Sequence, residues 1–174
     1  MKKLCALLLC LSSLLVSAEK AENMYLMRNT ELGNLFFIFE NSFYSVDDKI
    51  PLLFDMTHLC SCDTISIKMT IHNPTLVDVD SVALSWSEGT YIIPSPIVIY
   101  KEKDNKYWVN RCDCVFPYSF VAQAFANEAC PIFTIYTTSG IKQYKLPEKK
   151  WSKMSSNFRE IFMTIQSNKR LLRR

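Results

Sequence analysis

The chain has 174 residues, 49% of them apolar, with seven cysteines and a formal net charge of +3. Only three glycines and two histidines are present, which excludes a glycine-rich phosphate loop and leaves little material for a histidine-based active centre. The small net charge conceals an asymmetry. Residues 19–141 carry 8 Lys/Arg against 15 Asp/Glu, whereas residues 142–174 carry 10 against 2, giving an acidic body and a basic tail.

Residues 1–18 have the form of a secretory signal peptide: Lys2 and Lys3, an apolar stretch from Leu4 to Val16, and the small-residue site Val16-Ser17-Ala18 before Glu19. Export to the periplasm, the cell envelope or the medium is therefore expected. The remaining 19–174 is long enough for one domain with a sizeable core.

In chain order, Tyr25 to Arg28 reads as a short edge strand and Leu35 to Phe39 as an apolar strand. Asn41 to Pro51 reads as a loop. The clearest strand runs from Ile65 to Ile71, with Ile65, Ile67, Met69 and Ile71 on one face and Ser66, Lys68 and Thr70 on the other. Between Val77 and Trp86 the alternation slips by one residue, as at a β-bulge. Pro94 and Pro96 confine the start of the Tyr91 to Tyr100 run to a sheet edge or a loop. Asp104-Asn105 and Ser139-Gly140 mark hairpin turns. Pro117 to Glu128 suits a short helix with Phe120, Val121, Ala124 and Phe125 on one face. Pro147 to Lys153 reads as a charged linker. A helix follows, with Asn157 placed to cap it and Glu160 to complete a capping box, and with Phe158, Ile161, Phe162 and Ile165 at helical spacing.

Two echoing motifs, Cys60-Ser61-Cys62 and Cys112-Asp113-Cys114, are the most unusual feature. In extended chain, residues two apart share a face. Export then predicts disulfides among Cys60, Cys62, Cys112 and Cys114, each closing a loop of about fifty residues and contributing roughly 4 kcal/mol. Cys130 is left over, either as a free or intermolecular thiol or as a buried small hydrophobe. A second reading joins His58 to the four paired cysteines as a zinc or copper site, although Cys-x-Cys is not the usual zinc spacing. A third is dithiol redox chemistry, which Asp63 and Asp113 oppose because it needs an electropositive setting.

No catalytic residues and no cofactor are assigned. Trp151 lies among lysines, so Lys149, Lys150, Trp151 and Lys153, with Lys169, Arg170, Arg173 and Arg174 at the end of the chain, form a candidate surface for an anionic partner. The competing reading docks Trp151 and the last helix onto the sheet. The expected fold is a mainly antiparallel β-sandwich, immunoglobulin-like in general architecture, with a short C-terminal helix. Its divisions are a leader at 1–18, a disulfide-containing sandwich at 19–147, and a basic linker and amphipathic helix at 148–174.

The expected function is non-catalytic: binding a protein partner, self-associating, or assembling in an envelope or secreted complex. Nucleic acid is not an expected partner. Alternatives are a small-ligand or lipid carrier, with a cavity lined by Phe37, Phe39, Trp86 and Trp108, and a thiol-redox or soft-metal protein built on the cysteine pairs.

Overall fold

Alternation of apolar and polar side chains over Thr64–Asn73 (β4) buries Ile65, Ile67, Met69 and Ile71 on one face and leaves Ser66 and Lys68 on the other. The same period continues in its neighbours, and a computed structural model, describing residues 21–172, shows them joined in a single antiparallel sheet. The leader at 1–18, and Arg173 and Arg174 of the basic tail, lie outside the described residues.

The other strands are β1 (Tyr25–Thr30), β2 (Gly33–Ser45), β3 (Pro51–Leu59), β5 (Val79–Trp86), β6 (Gly89–Pro94), β7 (Ile97–Asp104), β8 (Tyr107–Pro117), β9 (Ile132–Thr137) and β10 (Gly140–Lys145). Two helices, α1 (Tyr118–Ala126) and α2 (Glu148–Leu172), complete the chain. The sheet order is β6-β5-β9-β10-β2-β3-β4-β8-β7, with β1 paired to the first half of β2.

The strands at the two ends of this order, β6 and β7, are consecutive in the chain and separated only by Ser95 and Pro96. A two-residue link cannot cross a flat sheet of this width, so the sheet curls into a half-barrel. Tyr91 of β6 accordingly meets Phe116 of β8, with ring centroids 5.9 Å apart.

The expected two-sheet sandwich is replaced by one sheet with helices on its concave face. The layer opposite the sheet comes from Val121, Ala124 and Phe125 of α1 and from Trp151, Phe158, Ile161, Phe162 and Ile165 of α2, all buried. Phe125 lies at the centre of this layer, with ring centroids 4.8 Å from Phe158 and 5.9 Å from Phe54.

Several local expectations hold. The slip before Trp86 is an irregularity between Val79 and Ser81 in the pairing of β5 with β9. β6 is an edge strand, as its proline requires. Two-residue turns join β7 to β8 and β9 to β10, and Gly140 sits at φ 134°, where a Cβ would be strained.

Two expectations are corrected. The loop placed at Asn41 to Pro51 is shorter, because β2 continues through Ser45 after a register shift between Ile38 and Asn41. There is no linker over Pro147 to Lys153, and Asn157 is not a cap. Helix α2 starts at Glu148, where Lys150 N and Trp151 N both donate to Pro147 O, and Asn157 lies within it.

Candidate functional site

On β3 the inward series Leu52, Phe54, Met56 ends in His58, which is 1% exposed. Beyond Leu59 the chain turns, closed by Cys62 N donating to Leu59 O at 2.9 Å. The turn breaks the strand period, so Cys60 is buried and Cys62 is exposed, and the two do not share a face. Tyr118 N donates to Asp63 O at 2.8 Å, which brings the start of α1 onto this turn. The His58 ring then stacks on Tyr118, with centroids 4.3 Å apart and planes at 22°. From the last turn of α2, Lys169 places its ammonium 4.6 Å from the centre of the Tyr118 ring, donates to Cys62 O, and lies 3.5 Å from Asp63 Oδ1. A residue of the metal reading and a residue of the basic-tail reading thus meet at one cluster.

Burial favours the uncharged forms of His58, Cys60 and Tyr118. His58 Nδ1 lies 2.8 Å from Thr64 O, and a carbonyl only accepts, so Nδ1 carries the proton. The lone pair of Nε2 is buried without a partner among the described residues. Burial lowers the His58 pKa to about 4, assisted by the charge of Lys169. Burial raises the Cys60 thiol, with Lys169 opposing, and pushes Tyr118 up to about 12. Nucleophilic or redox work at Cys60 requires a thiolate, and burial here disfavours one. The cluster fastens the end of α2 to the β3–β4 turn. Tyr118, which completes it, carries no signal in the sequence. His58 and Cys60 do, because the alternation Leu52-Phe54-Met56-His58-Cys60 already places them inward.

The other cysteines lie apart from this turn. Cys112 and Cys114 are fully buried on the concave face of β8, opposite Met69 and Ile67 of β4. Desolvation pushes the Cys112 thiol up to about 11 and Cys114 higher still. The disulfides expected among Cys60, Cys62, Cys112 and Cys114 are not formed: all four are free thiols. The intervening β4 pairs with β8 along its whole length, so the two cysteine segments are not neighbouring strands. The metal set of His58, Cys60, Cys62, Cys112 and Cys114 is likewise not assembled. Among the described residues no group of three His, Cys, Asp or Glu side chains could hold an ion. Cys130 is half-buried, with Leu146 N donating to its Sγ at 3.3 Å and burial pushing its pKa up to about 11. Among the described residues the exposed thiol is Cys62.

Trp151 is removed from the anionic-surface set, being fully buried with its Nε1 donating to Asn127 O at 3.2 Å. Lys149, Lys150 and Lys153 remain exposed beside it, as does Arg170 at the other end of α2. The aromatic cavity is also not assembled. Phe39 is exposed and Phe37 half-buried, on the face opposite buried Phe36 and Ile38, and Trp86 packs on Phe120 of α1. Trp108 is at the far end of β8 from the α1 junction.

Among the described residues, the most exposed apolar run lies on the edge strand β7. Ile97, Val98, Ile99 and Tyr100 are consecutive and all exposed, Ile97 by 66%, with Val115 of β8 exposed beside them. No protein-family model, curated protein or solved structure matches this chain.

Proposed function

We propose that this is an exported, non-catalytic β protein that acts by binding a protein partner, whose extended segment adds to the sheet along β7. The observation that carries this reading is the character of that edge. All eight residues of β7 are exposed, its first four are large and apolar, and its outer side pairs with no strand among the described residues. Natural edges are normally blunted by charge or cover. Here Lys101, Glu102, Lys103 and Asp104 blunt only the second half, so the first half is available for main-chain pairing and apolar side-chain contact.

The test is photo-crosslinking from position 99 in the native host, with position 32 as control, since Leu32 is a still more exposed apolar residue outside any strand. One defined adduct from position 99, absent from position 32 and lost in the Ile97→Lys variant, supports the proposal. Equal labelling from both positions defeats it. Export is checked separately by the mass of the mature chain, which should begin at Glu19.

A further inference from the structure

Where the β2–β3 loop, the end of β10 and the first turn of α2 meet, they enclose a concave space of about 430 Å3. Its walls include Tyr44, Val46 and Pro147, and its rim carries Lys49, Lys145 and Lys150. We propose that this concavity binds a small organic anion, a carboxylate or phosphate head on a short apolar body.

Two segments far apart in sequence, the β2–β3 loop and the β10–α2 junction, bring the lysines here. Lys145 is the cross-strand partner of Tyr44 between β10 and β2. Lys150 projects from the first turn of α2 and holds its ammonium 5.5 Å from the Tyr44 ring centre. Lys49 has a left-handed backbone, φ 60°, and its ammonium donates to Val46 O at 2.9 Å. That conformation is uncommon away from glycine, and here it turns the loop back on itself.

No carboxylate lies among the lining residues. Asp48 of the β2–β3 loop is engaged elsewhere, its carboxylate accepting from Lys142 Nζ at 2.9 Å and from Ile50 N at 3.2 Å, and the exposed Asp47 and Glu148 are not among the lining residues. The positive end of the 25-residue helix α2 lies at the same junction, although its first turn also carries Glu148. Three like charges around one concavity repel each other, and an anion of matching size relieves that repulsion. The apolar walls then select for a hydrocarbon body, and the volume falls within the usual range for small-ligand sites.

The experiment is isothermal titration of the full mature chain with 1-naphthyl phosphate at low salt, with 1-naphthol as a body-only probe and phosphatidylglycerol vesicles as a membrane surface. Saturable one-to-one binding is expected, weakened about tenfold in the Lys145→Gln/Lys150→Gln variant and unchanged in Lys103→Gln on the distant β7 hairpin. All three lysines are exposed, and an unchanged melting curve confirms that the variant folds. Equal binding of 1-naphthol, equal loss in the Lys103→Gln control, or binding to vesicles without binding to naphthyl phosphate would overturn the proposal.

Discussion

His58 is the residue whose environment has the clearest consequence for the folded state. Between pH 6.5 and about 4 the unfolded chain protonates this imidazole and the folded chain does not. Its contribution to stability is therefore complete above pH 6.5 and is lost as pH falls towards 4, by about 3 kcal/mol. Asp48 acts in the same direction lower down. Burial alone would raise its pKa, but the bonds from Lys142 and Ile50 hold it at about 2, so its contribution is lost between pH 4 and pH 2. Denaturant titrations of His58→Asn, which keeps an N–H towards Thr64 O, should show a flatter dependence between pH 7 and pH 4. An unchanged slope would place the acid sensitivity elsewhere. The thiols differ by exposure in the same measurable way. Iodoacetamide should label Cys62 first and Cys130 more slowly, with Cys112 and Cys114 labelled only on global unfolding. Replacing Cys114 by Ser buries a hydroxyl in an apolar site and should cost about 1–3 kcal/mol. Two bridges in the intact mass of purified protein would contradict this assignment of free thiols.

Among the elements, α2 is part of the core and β7 is a surface feature, and the two should respond oppositely to mutation. Truncating Trp151 to Ala removes a fully buried ring packed on Phe43, Phe125 and Phe158, and should destabilise by about 3–5 kcal/mol. Arg170→Gln on the exposed side should stay within about 0.5 kcal/mol. Ending the chain at Leu146 should abolish cooperative unfolding, because the concave face of the sheet would lie open. A truncated chain that still melts cooperatively would show that the helix is an appendage. In contrast, Ile97→Lys/Ile99→Lys on β7 should leave the melting temperature nearly unchanged while removing partner binding. The helix pattern Phe158, Ile161, Phe162, Ile165 was legible in the sequence, but its start was not. The lysines around Trp151 resemble a solvated linker until Phe43 and Phe125 are seen to cover the indole. The short helix at Pro117 and both hairpin turns were legible because proline and turn residues act locally.

At the scale of the whole molecule, the acidic body and basic tail partly neutralise each other within the chain. Lys169 reaches Asp63 and Lys142 reaches Asp48, so less of the tail is left for charge-driven self-association than the charge counts imply. The lysines that remain at the start of α2 border the proposed anion site. The sequence alone determined strand-rich secondary structure, the inward face of β4, the bulge before Trp86 and the exclusion of the Pro94 segment from the middle of the sheet. Each follows from side-chain period, proline chemistry or turn residues acting over a few positions. Tertiary structure decided that the strands form one curled sheet rather than two stacked ones, that helices fill its concave side, and that the cysteine pairs do not meet. Those outcomes depend on which strands become neighbours and on how a two-residue link joins opposite sheet edges. Alternation along a strand specifies which side is buried, but not which element covers it. Here the covering layer came from the most basic segment of the chain, because its aromatic stripe buries more apolar surface than its lysines, free to face water, cost.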